Sequence, residues 1–156
     1  MAGDVTMLVF ELAGIRYGTD ISHILGMERM RGREPHEYDS EGRIIFPKYG
    51  PTRIVDIVEN LGEGSGHSTG IGSLRVLVMQ GEEDNAGVVV DKVRGVRKIP
   101  FTQVYPLPSL LEGTTSPAIF GIARDGEEVL FLVDLRNLVE DAGKKDEGNE
   151  RPRERG

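Results

Sequence analysis

The side chains best suited to chemistry in this chain are three histidines and a scatter of carboxylates, and their arrangement decides against a reaction. A metal pair needs imidazoles that one element brings together, as at helical i, i+4 spacing. His23, His36 and His67 share no such spacing, and two of them fall in polar segments read as loops. Surface or structural roles are expected for all three. The chain has no cysteine, which removes disulfides and thiolate ligands and fits a reducing compartment, so the cytoplasm is the expected location.

Cradling a phosphate calls for G-x-x-x-x-G-K-[ST] or G-x-G-x-x-G between a strand and a helix. The glycine-rich stretch 61–73, LGEGSGHSTGIGS, satisfies neither and reads as a solvated linker. Asp56, Asp91 and Asp134 each stand beside an aliphatic run, where a carboxylate closes a strand, caps a turn or accepts from backbone amides. Asp91, inside VVVDKV, is the most notable of them. Nothing supplies a second acid or a pocket that would shift a pKa for acid–base work. No catalytic residue, cofactor or metal is expected.

The elements that must carry these residues are short and β-rich. At 156 residues the chain suits one domain or two small lobes, and its 21 glycines are nearly twice the usual share of roughly 7%. Glycine serves hairpins and the corners of small barrels. No run reaches the roughly 20 apolar residues of a spanning helix, and MAGDVTMLVFEL lacks the basic start of a signal peptide. A net charge of −7 with 6% aromatics argues against nucleic acid as a partner.

Leu8, Phe10 and Leu12 alternate along a first strand, and Ala13-Gly14 separates it from Ile15-Arg16-Tyr17 in a tight hairpin. DISHILGMERM, 20–30, reads as a turn followed by a strand, and 31–43 as an exposed loop. Short strands are expected at 44–46 and 54–58, then from Leu74, then from Val88 to Val93. Ser109 and Glu112 have capping-box spacing for one helical turn. Asp125-Gly126 marks a hairpin, and Asp134 is placed to cap a brief helix whose Leu135, Leu138 and Val139 share a face. The tail after residue 140 has no large apolar anchor and is expected to be disordered. Two small barrels packed on each other satisfy this pattern, with a break near 61–73.

GVVVDKVRGVRKIPFTQVYPLP, 87–108, and FGIARDGEEVLFLVDLRNLV, 120–139, resemble the C-terminal half of CheW-like domains, the adaptor family of bacterial chemosensory arrays. LVFELAGIRYGTDISHILGM, 8–27, resembles the family's first hairpin and the segment after it, and RIVDIVENLG, 53–62, its Val-Ile-Asp-Leu strand. The resemblance spans about residues 5–140. It departs at GRIIFPKYGPTRIVDI, 42–57, where Ile45-Phe46-Pro47 stands in place of the family's Asn-Leu-Arg-Gly core and puts any partner contact made there in doubt.

The resemblance implies a mainly β fold, two five-stranded SH3-like barrels packed together with short helices. It implies a non-enzymatic chemotaxis adaptor that joins the cytoplasmic tips of chemoreceptors to the regulatory domain of a CheA-type histidine kinase, with no cofactor and no membrane insertion. Matched positions place the receptor-facing segment at Ile24, Gly26 and Met27, and a further partner-binding strand region at Gly87, Val89, Asp91 and Val93; Arg94 and Arg97 could rim an interface. Two alternatives stand beside it. One is an accessory protein that kept the fold and lost one contact. The other is a small-ligand-binding β-barrel with Asp56 and Asp91 lining a cavity between lobes, which a packed apolar interlobe space would defeat.

Overall fold

The computed structural model describes residues 3–30, 37–57, 73–81, 83–109 and 116–140. Its strands are β1 (Asp4–Leu12), β2 (Ile15–Asp20), β3 (Gly26–Arg29), β4 (Ile44–Phe46), β5 (Gly50–Val55), β6 (Arg75–Gln80), β7 (Asn85–Val90), β8 (Lys92–Pro100), β9 (Val104–Pro106), β10 (Ile119–Asp125) and β11 (Glu128–Val133). Among the described residues one α-helix, α1, covers 135–140. They form two sheets, ordered β8-β1-β2-β11-β10-β9 and β3-β6-β7-β5-β4. The fold is mainly β in two lobes, as the sequence reading expects.

The division between lobes is not where composition suggested. Residues 58–72 lie outside the described residues, but β5 and β6 on either side of them both pair with β7 in one sheet. The break near 61–73 is therefore corrected: the β6 lobe is one continuous middle segment, and the β1 lobe is built from both ends of the chain. The chain crosses between sheets after β2 and again at Asp91. That second crossing also corrects the single strand expected over 88–93, because β7 ends at Val90 and β8 starts at Lys92. Hydropathy cannot mark such a crossing, since the strand is apolar on both sides of it.

Alternation along the strands divides the apolar side chains among three clusters. Met7, Val9, Ile99, Ala123, Leu130 and Leu132 fill the β1 lobe. Ile44, Phe46, Leu74, Val76, Val78 and Val89 fill the β6 lobe. The intervening residues of the same strands, among them Leu8, Phe10, Leu12, Leu77, Met79, Val88 and Val90, meet in a third cluster between the lobes. Strands buried on both faces have no polar side to show, which is why β6 and β7 read as unbroken apolar runs. The interlobe space is thus a packed apolar core, and this defeats the ligand-cavity alternative: Asp56 faces solvent and Asp91 is bonded to backbone.

Local chemistry finishes the frame. Asp134 begins α1, its Oδ1 accepting the Asn137 N–H at 3.2 Å, and Leu135, Leu138 and Val139 enter the interlobe core together, as their spacing predicts. Asp125 and Glu128 pair across a two-residue turn in which Gly126 takes a positive φ. The described part of the segment read as an exposed loop, 37–43, is pinned: Arg43 Nε meets Asp39 Oδ2 at 2.6 Å and its Nη1 meets Asp84 Oδ2 at 2.9 Å. The helical turn expected from Ser109 and the tail after 140 fall mainly outside the described residues.

The β1–β2 turn is the instructive case. Ala13 and Gly14 both have positive φ, 52° and 82°, as a type I′ turn demands. Asparagine or aspartate is the usual first residue there because its side chain offsets the left-handed backbone. Here the carboxylate comes from across the structure: Asp91 Oδ2 accepts the Ala13 N–H at 2.9 Å, and the Asp91 N–H donates to the Glu11 carbonyl at 3.0 Å.

Candidate protein-interaction surface

Among the described residues no group of His, Cys, Asp or Glu could hold a metal ion. His23 sits in the 3-10 turn Ile21–His23, and His36 and His67 lie outside the described residues. What the surface offers instead is apolar area. Leu25 and Met27, 49% and 48% exposed, stand just before and on β3, an edge strand of the β6 lobe. Tyr105 and Phe120, 43% and 59% exposed, stand on β9 and β10 of the β1 lobe.

The seven residues singled out by resemblance separate into two groups. Ile24 and Val93 are half-buried and pack on the interlobe core, so both border the seam between the lobes. Gly26 and Met27 follow Ile24 on β3. Gly87, Val89 and Asp91 are buried within the fold. Arg94 and Arg97 are already occupied, with Glu11 at 3.3 Å and Asp125 at 3.4 Å.

Gly87 shows what its position is for. A Cβ there would stand 2.5 Å from Val76 Cγ1 and 3.0 Å from Ile54 Cδ1, inside the barrel of the β6 lobe. Two apolar side chains thus occupy the space a methyl would need. Gly87→Ala is expected to cost about 1–2 kcal/mol through overpacking, read as a lower denaturant midpoint at unchanged m-value.

Asp20 governs the approach to β3. Its Oδ1 accepts the Ser22 N–H at 2.9 Å and so caps the turn that hands the chain from one lobe to the other. That backbone bond, with the Ser22 hydroxyl and then His23 adding to it against a small opposing effect of burial, holds the carboxyl below its ordinary 3.8. A depressed carboxyl stabilises the fold above its unfolded value and loses that contribution as pH falls through the folded one. The Ser22 amide resonance is therefore expected to titrate with a midpoint below 3.8, and a midpoint at or above it would contradict the cap.

One feature has no local signature in the sequence. Val93, Phe10, Tyr17, Phe131, Ile122 and Tyr105 lie directly opposite one another across β8, β1, β2, β11, β10 and β9, on one face of the sheet. Phe10 and Tyr17 stack at 5.5 Å, and Tyr17 meets Phe131 at 6.4 Å. The row starts inside the interlobe core and emerges at Tyr105. Beside it, a β-bulge between Ile119 and Gly121 leaves Phe120 out of register and turned to solvent. Residues so far apart in the chain become neighbours only through strand pairing.

Comparison with known proteins agrees with this architecture. The model of the family described as CheW-like domain matches residues 6–143. The crystal structure of the scaffolding protein TtCheW from Thermoanaerobacter tengcongensis superposes with a TM-score of 0.66 at 22% identity, covering 86% of this chain and 87% of that one. At that identity the likeness is one of fold. No curated protein sequence matches. Among the described residues no helix is long and apolar enough to cross a membrane.

Proposed function

The chain belongs to the CheW-like domain family, a family of non-enzymatic chemotaxis adaptors, and from that membership we propose that it couples methyl-accepting chemoreceptors to a CheA-type histidine kinase in a chemosensory or motility pathway. Its place is the cytoplasm, where receptor tips and kinase meet. An adaptor has to hold two partners on one rigid body. The observation that carries the reading is that each lobe exposes its own apolar surface while a shared core locks the lobes together.

The edge at Leu25 and Met27, bordered by Ile24 and the seam, suits an amphipathic helical hairpin such as a receptor tip. The outer face at Tyr105 and Phe120 suits a second β-lobe, which supports assigning it to the kinase regulatory domain. Aromatic anchors in an apolar patch are the usual centres of binding energy. The test mixes the full chain with a purified receptor tip, with the kinase regulatory domain, and with both. A three-component complex is expected. Binding to one alone would make the chain an accessory protein, and binding to neither would remove the adaptor reading.

A further inference from the structure

We propose that Tyr49 is a positioning residue for the receptor-facing strand: carried on the β4–β5 turn, it closes the barrel of the β6 lobe by propping β3 at Gly26. The inference rests on the assignment of β3 to the receptor and adds to it how that strand is held.

In the order β3-β6-β7-β5-β4, β3 and β4 are opposite edges, and no backbone pairing joins them. Among the described residues β3 is paired on one side only, through four residues of register with β6. Tyr49 bridges the gap. Its backbone is fixed, the N–H donating to the Phe46 carbonyl at 3.1 Å and the carbonyl accepting Asn85 Nδ2 at 2.9 Å. Its ring packs on the cluster that fills the lobe, with Lys48 Nζ 5.5 Å from the centroid.

The ring tip ends against β3. A Cβ built at Gly26 would fall on the Tyr49 hydroxyl and stand 2.6 Å from Cζ. Gly26 is not among the glycines with positive φ, so its backbone conformation suits any residue. Space for the tyrosine is what the missing side chain provides. Strand alternation then turns Leu25 and Met27 to the opposite face, where they are exposed. The prop lies behind the strand and the partner surface in front of it.

The pairing falls at the point where this chain leaves its family's pattern. Tyr49 belongs to 42–57, the segment lacking Asn-Leu-Arg-Gly. Within that segment, Tyr49 places an aromatic ring against Gly26 of the receptor-facing strand.

The test measures affinity of the full chain for the cytoplasmic tip hairpin of a methyl-accepting receptor from the same organism, and separately for the kinase regulatory domain. Tyr49→Ala is expected to weaken tip binding about tenfold and to leave kinase binding within about twofold, the size of coupling seen between residues in contact. Gly26→Ala should weaken tip binding similarly, and the double variant should be no worse than Tyr49→Ala alone. The kinase arm reports that each variant is folded, and Tyr49→Phe, which keeps the ring, should bind the tip within about twofold of the unaltered chain. Additive losses, or an unchanged affinity in Tyr49→Ala, would overturn the proposal while leaving the receptor assignment standing. An unaltered chain that binds the kinase and no tip would overturn both.

Discussion

Asp91→Ala is expected to lower the unfolding free energy by about 3 kcal/mol, combining the loss of a buried charge-assisted bond with a donor left unsatisfied. The residue is 3% exposed and stands where the chain passes from β7 to β8, between sheets. Its carboxylate accepts from Ala13, a left-handed non-glycine residue at the tip of the β1–β2 hairpin. Without the oxygen the Ala13 N–H loses its partner, and the backbone bond from Asp91 to Glu11 still ties the turn to the crossing residue. Asp91→Asn keeps an oxygen acceptor and is expected to lose about half as much. Chemical denaturation measures the stability, and hydrogen exchange locates it, with faster exchange at the β1–β2 turn. Equal midpoints for Asp91→Ala and the unaltered chain would show that the turn holds without the carboxylate.

Met27→Glu is expected to reduce affinity for a receptor tip about a hundredfold, some 2.7 kcal/mol, while stability changes by no more than about 0.5 kcal/mol. Met27 is half exposed, so a charge there reaches water in the free protein. In the complex the same charge must be buried against an apolar helix without a partner, and that cost falls entirely on binding. Ile24 separates the two effects poorly, because it packs on the interlobe core; a charge at Ile24 strikes fold and binding together. Phe120→Glu is the counterpart on the β1 lobe and should spare the tip while weakening the kinase regulatory domain. If Met27→Glu binds the tip as tightly as the unaltered chain, β3 is not the receptor surface.

Much of this was legible in the chain order of residues. The turn and strand over 20–30, the Asp125-Gly126 hairpin and the Asp134-capped helix depend on neighbours within a few positions, and each formed where local chemistry placed it. The motifs at 87–108 and 120–139 carried the family. The crossing at Asp91 escaped because periodicity reports burial and is silent on which sheet does the burying. Gly26 and Met27 were singled out through the family's pattern, whereas Tyr49 was not, since a ring standing on a glycine from the far edge of a sheet leaves no trace in spacing.

By itself the sequence determined the β class, the turns, the lack of metal-binding and nucleophile motifs and the adaptor family, because those follow from side-chain type and short-range order. Tertiary structure alone decided how the lobes interleave, which of the seven singled-out residues reach solvent, and that an aspartate 78 residues away holds the Ala13 turn. The physical reason is that strand pairing brings together residues distant in the chain, so burial and hydrogen-bond partners at such contacts belong to the closed sheets and to no stretch of sequence.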